Sequence, residues 1–169
     1  MNLNQIRLPR ELEADHTADT IIRVLSENTV RLWSRGDMEV PVITLNGALK
    51  KALQNAGNRR LIRCGFEAVS EKLEQERAGI AKITDLQDSN RINRISRLLL
   101  FSNDGADRLY RHIEQLIKNH ATRLLGCMLA ADSAVLGVLV NGRESRVKVA
   151  LLEHKKIVSE ILRAIAETD

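Results

Sequence analysis

The chain has 169 residues, 44% apolar and 28% charged, with a formal net charge of +4 and a pI near 9.3. That composition suits one soluble globular domain with an extension, or two small domains. The only aromatics are Trp33, Phe66, Phe101 and Tyr110, which leaves no stacking platform for single-stranded nucleic acid, and no run approaches the ~18 apolar residues of a membrane span.

Residues 1–15 read as loosely structured, with Pro9 ahead of an acidic run. A helix is predicted from Asp15 or Thr17, because Ala18, Ile21, Ile22 and Leu25 recur at helical spacing behind a capping residue. Thr29–Trp33 reads as a short strand or the extended end of that helix, and Ser34–Pro41 as a turn and linker. Gly36 and Pro41 place a boundary there, between an N-terminal helical extension (1–40) and a main domain (41–169). The main domain starts extended and turns helical near Asn46, with Ala48, Leu49, Ala52 and Leu53 on one face and Gly57 placed to end the helix. After the short basic stretch RRLIRC, a helix from Gly65 turns Phe66, Val69 and Leu73 inward and is expected to stop before Gly79. Residues 80–96 are polar and weakly periodic and read as a loop with at most one helical turn.

From Ser96 the pattern sharpens. Ser96–Ser102 is a continuous apolar run of strand length, followed by an amphipathic helix with Leu109, His112, Ile113, Leu116 and Ile117 on one face. Arg123–Ala130 is a second apolar strand, and Asp132 caps a helix that stops at Asn141–Gly142. Ser145–Glu153 suits a third strand, and a last helix from His154 turns Ile157, Val158, Ile161, Leu162 and Ile165 inward. Unbroken apolar strands alternating with helices imply a sheet covered on both faces. The predicted fold is therefore α/β: a three-layer α-β-α sandwich with a small, mainly parallel or mixed sheet, preceded by the helical N-terminal region.

Cys64 and Cys127 lie far apart in apolar settings and read as reduced buried thiols, with no zinc-site or disulfide spacing. The N-terminus has no apolar signal core, so a cytoplasmic protein with no membrane partner is expected. The turn Ser102–Ala106 follows a strand, the place where open α/β sheets hold ligands. Asp104 and Asp107, however, repel phosphate there and are read as caps of the following helix. Mg²⁺ on Asp104, Asp107 and Asp132 is the minor alternative. His112, His120 and His154 have no nucleophile elbow beside them, so no triad is predicted, and no cofactor or resident metal is expected.

The basic residues are more organised. Arg59, Arg60 and Arg63 precede the helix from Gly65, and Arg91, Arg94 and Arg97 precede the first apolar strand. Arg143 and Arg146 flank the third strand, and Lys155 and Lys156 follow it. Gathered on one rim they would hold phosphate oxygens; dispersed, they are a solvated surface balanced by the acids of EKLEQE. Both readings stand at this point.

Three stretches carry a family likeness over about residues 59–165: RLIRCGFEAVSEKLEQERAG, SRLLLFSNDGA, and DSAVLGVLVNGRESRVKVALLE. Together they resemble the superfamily of small α-β-α ribosomal proteins that bind kink-turn RNA, including its bacterial members of the translation apparatus. The first resembles that family's Gly-led helix, the second its central strand and acidic turn, and the third its Leu-Gly helix and last strand. Gly65 matches the family's helix start, whereas Glu67, Ala68 and Glu71 stand where Asn, Glu and Lys are usual. The resemblance implies a non-enzymatic RNA-associated or ribosome-associated protein. Arg59, Arg60, Arg63, Gly65, Phe66 and Glu67 would meet structured RNA, with Asp132 and Ser133 near a base-packing loop. Two other readings share the fold. One is an interaction or scaffold module that has lost the RNA surface and uses the N-terminal helix for a protein partner or homodimer. The other is a small nucleotide- or metal-binding enzyme built on the Ser102–Ala106 turn.

Overall fold

The computed structural model describes residues 1–84 and 93–168. A 3-10 turn at Leu3–Gln5 leads into helices α1 (Arg10–Ala14) and α2 (Ala18–Glu27) and the hairpin β1 (Thr29–Arg31) and β2 (Glu39–Ile43). Then follow α3 (Gly47–Asn58), β3 (Ile62–Cys64), α4 (Phe66–Thr84), β4 (Arg97–Phe101), α5 (Asp107–Asn119), β5 (Leu124–Leu129), α6 (Ser133–Asn141), β6 (Val149–Leu152) and α7 (Lys155–Ala166). The strands form one mixed sheet in the order β1-β2-β5-β4-β6-β3. Pairing is parallel for β2–β5 and β5–β4 and antiparallel for β1–β2, β4–β6 and β6–β3. Four strands thus share a direction, and β1 and β6 oppose them.

The apolar runs become central strands because both faces of the sheet are covered. On one face Leu98, Leu100, Leu125, Cys127, Leu129, Ala150 and Leu152 pack with α2, α3, α6 and α7. On the other, Leu99, Phe101, Leu124, Met128, Val149 and Leu151 pack with Val69 and Leu73 of α4 and Tyr110, Ile113 and Ile117 of α5. The result is the three-layer sandwich expected from the sequence. Of residues 1–40, Leu8, Leu12, Ile21 and Leu25 are buried in the first of these clusters, and Leu32 and Met38 in the second. The hairpin is held on α5 by Trp33, whose indole N–H donates to Glu114 at 2.5 Å, and by Lys118, which reaches Glu114 at 2.7 Å and Asp37 at 2.8 Å.

Several boundaries differ from the sequence reading, each for a local reason. Gly57 does not end α3. It lies within the helix, where a Cβ would stand 2.2 Å from the Val140 carbonyl oxygen of α6, so the glycine serves a close helix–helix contact. Gly79 does not end α4 either; the helix runs on to Thr84, taking up the start of the predicted loop, whose residues 85–92 lie outside the described residues. The third strand is only Val149–Leu152, and it runs antiparallel to β4. The α6 signals hold: the Asp132 carboxylate accepts from the Val135 N–H at 2.9 Å, and Gly142 closes the helix at φ 68°, where a side chain would be strained.

Candidate functional site

At the carboxyl edge of β4 and β5, Asn103 N–H donates to the Ala131 carbonyl at 3.0 Å, tying the two exit turns together. This places Asp104 beside α6. Its carboxylate accepts from the Ser133 N–H at 3.0 Å and the Ser133 hydroxyl at 2.7 Å. Asp104 therefore caps α6 and not α5, which corrects the sequence reading; α5 starts after Ala106 with no side-chain cap. Its pKa is held down to about 2, by the Ser102 hydroxyl first and then by the Ser133 hydroxyl and amide, against the opposing effect of burial. The Ser102 oxygen is buried and makes no formed hydrogen bond among the described residues. Tyr110 completes the turn, its hydroxyl accepting from the Gly105 N–H and donating to the Ser102 carbonyl, both at 2.8 Å. Apart from the Ser102 hydroxyl, the turn's hydrogen bonds are made within it, and the Asp104 carboxylate makes it a poor seat for phosphate. Among the described residues no group of three or more His, Cys, Asp or Glu is placed to hold a metal ion.

The opposite edge is basic, and the register shows why. Ile62, Leu152, Leu98 and Leu125 lie in one row across β3, β6, β4 and β5. Just beyond that row come Arg60 and Arg59 before β3, Lys155 and Lys156 after the antiparallel β6, Arg94 and Arg97 around the start of β4, and Arg123 before β5. The Ile95 N–H donates to the Arg7 carbonyl at 2.8 Å, which brings Arg10 to the same edge. Arg143 and Arg146 precede β6 and so fall at the other edge, and Arg91 lies outside the described residues.

The inner arginines are already engaged. Arg97 donates to both oxygens of Glu76 at 3.0–3.1 Å, and Arg123 reaches the same carboxylate at 3.7 Å. One carboxylate thus serves two guanidinium groups, and burial, then the neighbouring Arg97, lower the pKa of Arg123. Arg94 pairs with Glu13 at 2.6 Å and donates to the Leu8 carbonyl at 2.9 Å. Arg59, Arg60, Lys155 and Lys156 are exposed and have no carboxylate partner among the described residues. Arg60 is held at φ 56°, its N–H bonded to the Gly57 carbonyl at 2.9 Å, in the left-handed position after a helix that glycine ordinarily takes.

The eight residues singled out in the sequence do not form one patch. Arg59 and Arg60 stand at the basic edge. Arg63 is bound to Glu153 in a bidentate pair of 2.9 and 3.2 Å. Gly65, at φ 93° with open space where a Cβ would be, lies with Phe66 and Glu67 at the carboxyl end of β3. Phe66 packs against the His112 ring, with 5.7 Å between centroids. Asp132 and the fully buried Ser133 are at the carboxyl end of β5, three strand spacings, or about 14 Å, from β3. The apolar face of α2, read as a partner surface, supplies Ile21 and Leu25 to the core. Sequence reasoning missed Arg10 and Arg123, which no local motif marks. Cys127 is fully buried and Cys64 half-buried, and burial raises both thiol pKa values. No helix among the described residues is long and apolar enough to cross a membrane.

No family model matches the chain, and no curated protein matches it. Among solved structures it is similar to a protein of unknown function from Bacillus halodurans C, at 15% identity and a TM-score of 0.46, over 72% of this chain and 100% of that one.

Proposed function

We propose that this chain is a non-enzymatic RNA-associated binding protein of the cytoplasm whose contact surface is the basic edge of the sheet. The observation that carries the reading is the gathering of Arg59, Arg60, Lys155 and Lys156 on one edge without carboxylate partners among the described residues, outside a layer of arginines that Glu13, Glu76 and Glu153 pair with. Unpaired exposed cations converging from two separate segments, the α3–β3 connection and the first turn of α7, are the kind of footprint that phosphate-backbone contact leaves. The likeness to kink-turn binders supports structured RNA among polyanions. It does not supply the site, because Arg63 is tied to Glu153 and Ser133 is buried beneath Asp104. A left-handed arginine at the same edge adds support, since backbone strain concentrates where function retains it.

Filter binding to a structured RNA across a salt series tests this reading. Four phosphate contacts predict a log–log slope of roughly −3 to −4. Changing Arg59 and Lys156 together to Gln should reduce the slope by about 2. A flat slope, or a slope unmoved by the double change, overturns it.

A further inference from the structure

We propose that the cavity between the end of α4 and the start of α7 is a pocket for a phosphomonoester group carried on an apolar body. The inference rests on the reading that this edge meets phosphate, and it narrows that contact to one terminal group. The cavity has a volume of about 610 Å³, within the ~300–1,000 Å³ common for small-molecule sites.

Four cations from separate parts of the chain line it: Arg10, Arg94, Arg123 and Lys155. Among the described residues, two carboxylates reach this group. Glu13 takes Arg94 at 2.6 Å, while Glu76 gives its short contacts to Arg97 and lies 3.7 Å from Arg123. Among the described residues the lining thus carries an excess of positive charge that suits a dianion. Lys155 is the first residue of α7, whose N-cap His154 makes no side-chain capping bond and whose first turn holds no acid. Among the described residues the opening N–H groups of that helix have no side-chain acceptor, and its dipole adds to the attraction for an anion. Ser96, 4% exposed, lines the same cavity, and its buried hydroxyl has no partner among the described residues.

The remaining wall is apolar. Pro9, Ile80, Ile83 and Ile95 line it, and Ile83 is 57% exposed, which is high for a large aliphatic side chain. Inorganic phosphate would answer the cations and leave this wall wet. A phosphomonoester on a body of nucleoside size answers both. The source is either a free mononucleotide or the 5′ end of an RNA chain.

Calorimetric titration of the full chain at low salt, with adenosine 5′-monophosphate, adenosine and inorganic phosphate as probes, tests the pocket. The monophosphate should bind at least tenfold tighter than either of the others. Lys155→Gln, at an exposed position, and Arg123→Gln should each weaken it by about tenfold, and Ser96→Ala by a few-fold. Short RNA bearing a 5′-phosphate or a 5′-hydroxyl separates the sources: a tenfold preference for the phosphate end assigns the pocket to chain ends, and equal binding assigns it to free nucleotides. Equal affinity for adenosine and its monophosphate, no binding at millimolar concentration, or an unchanged affinity in a folded Lys155→Gln variant would overturn the proposal. Retained monophosphate binding with a flat RNA salt slope would remove the RNA reading alone. Retained RNA binding with no monophosphate binding would remove the pocket alone.

Discussion

Arg60 couples stability to the proposed surface in a way that a single substitution can separate. Its backbone sits at φ 56° after α3, and a non-glycine residue in that region costs roughly 1–2 kcal/mol. Glycine removes that strain but loses about 0.5–1 kcal/mol through the freedom it has in the unfolded chain. The side chain is exposed and has no carboxylate partner among the described residues, so little else is lost. Arg60→Gly should therefore stabilise the fold by about 0.5–1 kcal/mol, a rise in Tm of roughly 1–4 °C for a chain of this size. The same change removes one cation from the RNA edge and should lower the magnitude of the salt slope by about 0.7–0.9. Arg60→Gln is the control: it keeps the strain and loses the charge, so affinity should fall with no gain in Tm. Thermal unfolding and filter binding on the three proteins give both readouts. A lower Tm for Arg60→Gly would show that the side chain stabilises the turn, and unchanged RNA binding in both variants would remove Arg60 from the surface.

Two further predictions concern the scaffold. Gly57→Ala gains up to ~1 kcal/mol of helix propensity, but its Cβ would stand 2.2 Å from the Val140 oxygen, and overpacking of this kind costs about 1–3 kcal/mol; net destabilisation is expected in urea unfolding. Gly79→Ala lies inside α4 with no described atom within 4 Å of the new Cβ and should stabilise by roughly 0.5–1 kcal/mol, so shifts of the same sign in both variants would refute the packing argument. The Asp104 carboxyl is lowered from 3.8 to about 2 on folding, so its contribution is present above about pH 4 and is lost as pH falls towards 2. At face value that shift is worth about 2.4 kcal/mol, and exposure of the side chain to solvent reduces it to about 1. Asp104→Asn should cost that amount at neutral pH, with the difference closing by pH 2 in urea unfolding curves; a difference independent of pH would mean that the carboxylate charge is not what holds Ser133.

The elements that could be read from the sequence are those whose own residues decide them. Leu98–Phe101 and Leu124–Leu129 are strands because every side chain is apolar and both faces are covered, and α6 is bounded by an aspartate that caps it and a glycine that needs positive φ. Glycine misled where its reason lay elsewhere in the fold: Gly57 answers to Val140 on another helix, and nothing in α3 itself says so. The acid at 104 misled for the same reason. Its nearest helix in sequence is α5, but the parallel β4–β5 pairing sets its carboxylate against the start of α6. What periodicity cannot carry is strand direction, and for the candidate site direction decides the outcome. Because β6 runs antiparallel to β4, its exit delivers Lys155 and Lys156 to the edge where Arg94, Arg97 and Arg123 enter, and leaves Arg143 and Arg146 on the side of Asp104. A parallel β6 with the same residues would have placed the two lysines on the side of the acidic turn, leaving the basic edge to its arginines and the cavity without Lys155 and the start of α7.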